Sequence, residues 1–244
     1  MEKKQKLIDL LKFCHAEIHR LADQLDSEER NRVGLVDHWS PHDVLAHLAE
    51  EHKRLADRLE QINTNRNEQE LLAFDGVNAA TWEAYRGRSL DVILKVLDAA
   101  HEKLLIQLGS LEATQFDLHE DIAWLDGRPL WRYIAGVGFL HALAHLRTLY
   151  IDRHDFENAK FLCQEEASLG ESLHDSPDWR AVITYNAGCN YALMGEKSLA
   201  LEALSSSLRS SPRLIEWSEQ DTDLDTLRAE PEFIALMAEL KKSG

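Results

Sequence analysis

Cysteine is scarce in this 244-residue sequence. Only Cys14, Cys163 and Cys189 occur, far apart and in no CxxC pair. An odd, scattered set offers no disulfide framework and reads as reduced thiols in a cytoplasmic protein. No GxSxG element marks a nucleophilic serine, no cysteine has an activating partner visible in sequence, and no glycine-rich phosphate loop is present. Positive charge is also in deficit: 27 Lys and Arg face 43 Asp and Glu, a net charge of −16. Such a surface repels phosphate backbones and anionic lipid, so nucleic acid and membrane are poor partners. Long apolar runs are missing too. The most apolar stretch, residues 130 to 151, is broken by Arg132, His141, His145 and Arg147, which argues against a membrane span. The opening residues, MEKKQKLIDLLKF, show amphipathic spacing with acids rather than a signal-peptide core.

What is abundant is helical periodicity. With 44% hydrophobic and 29% charged residues the chain has the composition of an ordinary globular protein. Leu7, Leu10, Leu11, Cys14, Ile18, Leu21 and Leu25 form one stripe, which predicts a helix over residues 3 to 26. A loop from Gly34 leads to Ser40, an N-cap followed by Pro41 and by Asp43 in a capping-box-like pattern. The second helix runs from Pro41 to about Ile62 on the stripe Leu45, Leu48, His52, Leu55, Leu59 and Ile62, with His47 at its edge. A polar segment over 63 to 69 precedes a short helix over 70 to 86. Ser89 caps a third long helix, and residues 109 to 128 form a connection with a turn at Asp126-Gly127. The fourth helix runs from Pro129 to about Asp152. The fold class is therefore all-α, with a four-helix bundle over residues 1–152. After residue 152 the helices shorten, and half of the net negative charge falls in the remaining segment. This places a domain boundary near 153 and a second domain over 153–244.

The second domain resembles tetratricopeptide repeats. In residues 184 to 212, Gly188, Tyr191, Ala200 and Pro212 occupy the small, aromatic, small and helix-stopping positions of one repeat. Small residues let two antiparallel helices approach, and Pro212 stops the second one. Tyr150 and Ala159 repeat the spacing of Tyr191 and Ala200. The resemblance implies either a peptide-binding or partner-binding module or a cap on the bundle.

Twelve histidines carry the chemical signal. Random placement would give about 0.6 pairs at i, i+4, the spacing that shares a helix face. The chain has His15/His19, His38/His42 and His141/His145. His38/His42 straddles a loop and an N-cap, which suits solvated or capping roles. His15/His19 sits at the edge of the first stripe, as half-buried structural histidines do. His141 and His145 fall on the stripe of Ile134, Val137, Gly138 and Leu149, where two buried imidazoles are costly unless something satisfies both. A shared metal would do so, and Gly136 and Gly138 thin the helix before them to leave room for a ligand.

The run His38-Trp-Ser-Pro-His-Asp-Val-Leu-Ala-His47 resembles the second-helix signature of the DinB-like superfamily. The run Pro129-Leu-Trp-Arg-Tyr-Ile-Ala-Gly leading to His141 and His145 resembles its fourth helix, closest to the ClbS/DfsB branch. The resemblance spans residues 5 to 152. It implies a divalent metal, zinc or nickel, held by His47, His141 and His145. Ala142, Leu143 and Ala144 depart from the aromatic and acid common in that branch. Three roles stay open to His52: fourth ligand, proton shuttle or core histidine. The implied chemistry is metal-assisted attack by a water or thiol on a small electrophilic metabolite, as a hydrolase or thiol-dependent transferase, with Glu51 or His52 moving the proton. The rival is a non-catalytic interaction protein whose repeats grip a peptide through Asn186 and Asn190. A bundle face left apolar would pair two copies into a homodimer.

Overall fold

Ser40 begins the helix that organises the first half of the chain. Its side chain accepts from the Asp43 backbone N–H, and the Asp43 carboxylate returns the bond to the Ser40 N–H at 2.9 Å. Asp43 also receives the Gly34 N–H at 2.6 Å and the Ser40 hydroxyl at 2.7 Å. A Cβ at Gly34 would lie 2.3 Å from the His38 carbonyl oxygen, so only glycine permits this closure. The reciprocal cap satisfies orphan donors at the start of a helix and fixes where it begins.

The computed structural model describes residues 2–35, 38–66, 74–118 and 122–243. Parts of four expected segments lie outside these residues: 36–37 of the first loop, 67–69 of the polar segment, 70–73 of the short helix and 119–121 of the long connection. The chain divides into two compact units, Met1–Leu146 and Arg147–Gly244. Apart from a bridge between Leu35 and His38, the described secondary structure is helical.

In the first unit, α1 (Glu2–Gln24), α2 (Pro41–Asn63) and α4 (Leu90–Ser110) pack with a fourth long element into a four-helix bundle, and α3 (Phe74–Tyr85) rests on α2. The core is the set of inward stripes: Leu7, Leu11, Ile18 and Leu21 from α1, Leu45, Leu48, Leu55 and Leu59 from α2, Ile93, Leu97 and Leu104 from α4. Ser89 stands at the N-cap of α4 without a side-chain capping bond. Asp126 (φ 52°) and Gly127 (φ 70°) turn the chain through left-handed conformations into the fourth element.

That fourth element corrects the expectation of one unbroken α-helix. It consists of α5 (Leu130–Ala135), a π-helical turn (Gly136–His141) and α6 (Ala142–Asp152). A π-turn holds one more residue than an α-turn and shifts the buried register by one. Before it the buried stripe runs through Leu130 and Ile134, and it enters the turn at Gly138. It leaves the turn one residue later, at Phe139, and continues through Ala142, Leu143 and Leu146, each at 0% exposure. His141 and His145 therefore lie on the flank of the core stripe, half-buried, instead of at its centre. By length and composition this element, Leu130–Asp152, is apolar enough to cross a membrane, but 56% of its most apolar window is buried within the protein, as in a core helix.

The second unit contains α7 (Phe156–Leu173), α8 (Pro177–Leu193), α9 (Lys197–Ser210), α10 (Arg213–Gln220) and α11 (Pro231–Ser243). A Cβ at Gly188 would stand 2.7 Å from Leu204 Cγ, so glycine lets α8 approach α9 closely. Leu204, Leu208, Leu224 and Leu227 are fully buried around that contact. Arg147 and Glu166 form a buried ion pair at 2.7 Å. All three cysteines are buried and none forms a disulfide.

Candidate metal centre

The π-turn brings His141 toward α2. His47 Nε2 lies 2.9 Å from His141 Nε2, and one nitrogen from each of His47, His141 and His145 falls within 4.8 Å of the others. His47 is 4% exposed. The indole of Trp39, from the loop before α2, lies 4.8 Å from the His47 ring and 6.2 Å from the His145 ring. Two helices, one π-turn and one loop thus converge on a single point.

The electrostatics keep these rings neutral. Burial pushes His47 down to about 2, reinforced by His145 and His141 and then by the Arg54 guanidinium. Burial, then His141, pushes His145 down to about 4. His141 is lowered by burial and by Arg54. Neutral imidazoles keep lone pairs, which is the form that ligates a metal.

The donor set fits a divalent cation. Two nitrogens on a tetrahedral zinc at about 2.0–2.1 Å stand roughly 3.3 Å apart, close to the His47–His141 separation. Three imidazoles with no carboxylate among them suit zinc or nickel better than magnesium or calcium. His47 Nδ1 is buried with no hydrogen-bond partner among the described residues, so the ring is not held by a bond on its far side.

Beside His141 opens a cavity of about 580 Å³. Glu51, Arg54, Arg58, Arg128 and Tyr133 line it with His141. Glu51 pairs with Arg54, and burial still pushes its carboxyl above the usual range. Asp57, also on the wall, is held by Lys103 at 2.7 Å. Arg58 stacks over Trp124 and Tyr133 at 5.2 and 5.3 Å, and Arg128 over Tyr133 at 5.7 Å. Among the described residues neither Arg58 nor Arg128 forms a salt bridge, although Arg58 feels the charge of Glu51 across the cavity wall. With three arginines on its wall against Glu51 and Asp57, the cavity is formally cationic in a chain of net charge −16.

Several sequence expectations change. His52 stands apart from the triad. Five residues beyond His47, it is rotated about 140° around α2. Its Nδ1 donates to the Leu48 carbonyl at 2.8 Å, and its ring lies 5.9 Å from His101. Gly138 leaves no room for a ligand, because a Cβ there would stand 2.4 Å from Leu11 Cδ2. Gly136, with open space around it, does line the cavity. His42 is buried and donates from Nε2 to the Arg88 carbonyl at 2.8 Å, whereas His38 is exposed. Asn190 is 2% exposed, so it does not face an open groove, and Asn186 donates to Glu166 at 3.4 Å. Sequence reasoning missed Arg54, Arg58 and Arg128. The first two share a helix face with Glu51 at spacings of three and four, a pattern equally common on solvated surfaces.

Residues 11–132, half of the chain, match the family described as the mycothiol maleylpyruvate isomerase N-terminal domain. The chain belongs to that family. The mycothiol maleylpyruvate isomerase N-terminal domain is a DinB-like helical domain, which agrees with the bundle built here. The matched span contains His47 and Glu51 and ends before His141 and His145. No curated protein and no solved structure matches the chain.

Proposed function

We propose that this protein is a metal-dependent enzyme that uses a thiol cofactor to transfer or isomerise a small anionic electrophile. The observation that carries this reading is the cationic cavity opening at His141, one of three converging imidazoles. The family's name pairs mycothiol, a thiol, with a small unsaturated acid, and the cavity has the charge to receive one.

His47, His141 and His145 would hold the cation, zinc or nickel. The chemistry it supplies is a positive charge that lowers the pKa of a thiol or water beside it and polarises an electrophilic carbonyl. Arg58 and Arg128, neither of them in a salt bridge among the described residues, bind the carboxylate of the substrate. Glu51 lies one turn beyond His47 on the cavity wall, and its burial-raised pKa suits it to taking and returning a proton. Trp39 packs against His47 and His145 and keeps water from that side. Hydrolysis of an electrophile, the chemistry implied by the ClbS/DfsB resemblance, would use the same residues with water in place of the thiol.

We read the second unit as a short tetratricopeptide-like array, supported by the Gly188–Leu204 approach and the buried Ala200. Three buried thiols, none in a disulfide, suit the reducing cytoplasm.

The test is metal content followed by turnover. Protein purified without added metal, then reconstituted with zinc, nickel or manganese, is analysed for bound metal and assayed with mycothiol and maleylpyruvate. The expected result is metal in at least equimolar amount, with His141→Ala losing one equivalent together with activity. Sub-stoichiometric metal that none of the three ions restores would overturn the proposal, as would an unchanged metal content in His141→Ala.

A further inference from the structure

A second histidine cluster lies on the first unit, on the contact between α1 and α4. His15 and His19 stand one turn apart on α1, and both Nε2 atoms reach the same oxygen of Asp98 on α4. The distances are 2.9 and 2.7 Å. The three potential ligand atoms all lie within 4.8 Å of one another. Their side chains are 24%, 33% and 50% exposed, so a cation can arrive from solvent without opening the fold. Behind them, the His101 ring stacks on His15 at 4.0 Å with an interplanar angle of 12°. His101 is 6% exposed, and its Nδ1 has no hydrogen-bond partner among the described residues.

We propose that His15, His19 and Asp98 form a second divalent transition-metal site, separate from the His47–His141–His145 centre. Two imidazoles and one carboxylate are a ligand set for the zinc, nickel and copper end of the divalent series. The i, i+4 spacing aims both imidazoles from one helix face, and the stacked His101 ring restricts how His15 can turn. Burial lowers His15 against the opposing pull of Asp98, which favours a lone pair over a proton on that ring. The cation replaces the protons now shared with Asp98 and completes its shell with water on the exposed side. Because its ligands come together only when α1 and α4 are packed, it binds the folded bundle and not the unfolded chain, and stabilises the fold by mass action. It needs no role in turnover.

The site is tested with zinc alone. His47→Ala/His141→Ala full-length protein, its helix content checked by circular dichroism, is dialysed against micromolar zinc and analysed for bound metal. The expected result is one zinc per chain and a raised melting temperature. Adding His19→Gln or Asp98→Asn should weaken that binding at least about tenfold and abolish the thermal shift. If the double variant fails to fold, the same two substitutions in the wild-type chain should each remove one equivalent of zinc. An absence of zinc binding in the folded double variant overturns the site. So does zinc binding that His19→Gln and Asp98→Asn leave unchanged, in either background.

Discussion

His47 and His52 sit five residues apart on α2 and meet opposite surroundings. One joins the triad; the other donates to its own helix and faces His101. Both are depressed by burial, His47 to about 2 and His52 to about 4. Below pH 6.5 the unfolded chain therefore binds protons that the folded chain refuses. Stability falls as pH drops through 6.5 and keeps falling until the folded imidazoles titrate. Each histidine contributes a slope of at most about 1.4 kcal/mol per pH unit. Metal-free protein should melt well below its neutral-pH temperature at about pH 5.5, and His52→Gln should flatten part of that slope. A melting temperature constant across this range would contradict the assigned burial. Glu51→Gln should keep the metal and lose about 10²- to 10⁴-fold in thiol-dependent turnover, the range for losing a general acid–base group. A loss below about tenfold would remove Glu51 from proton transfer.

At the scale of elements, the two glycines of the π-turn behave oppositely. Gly138→Ala drives a Cβ into Leu11 Cδ2 at 2.4 Å and Leu55 Cδ2 at 3.2 Å, both in the packed core. It should destabilise by about 1–3 kcal/mol. Gly136→Ala meets nothing within 4 Å and should be neutral or stabilising by up to about 1 kcal/mol. Urea denaturation of both variants measures the contrast, and equal effects would contradict the packing described. The same turn explains what was legible in sequence. Ser40, Pro41 and Asp43 announce the start of α2 through local capping bonds, so the position of His47 could be read from neighbouring letters. The stripe of His141 and His145 could not, because a single inserted residue leaves the apolar pattern on each side intact and changes only their phase. The cationic cavity was equally hidden. Arg128 comes from a turn far along the chain, and only folding places it near Arg54 and Arg58.

The whole molecule carries a net charge of −16, while the cavity beside His141 has more arginines than carboxylates on its wall. Self-repulsion over the acidic surface acts across distances comparable to the Debye length of about 10 Å at 0.1 M salt. Raising sodium chloride from about 20 to 200 mM should stabilise the fold by about 1 kcal/mol, seen as a rise of roughly 2–4 °C in Tm. A fall in Tm would mean that the surface ion pairs outweigh the repulsion. The same salt should weaken binding of a carboxylate substrate at Arg58 and Arg128, so stability and affinity move in opposite directions.

The π-turn also sets how such a site can arise or disappear. Its two flanking segments are one rod cut to two different clocks, α5 keeping one and α6 the other. Exchanging one side chain for another resets neither. Inserting one further residue into α5, beyond the one the π-turn already absorbs, would swing both histidines about 100° relative to the start of α5, together with Phe139, Leu143 and Leu146. The metal centre and the core of the bundle would be lost in the same event. The chemistry of this helix is thus recorded in its length as much as in its letters.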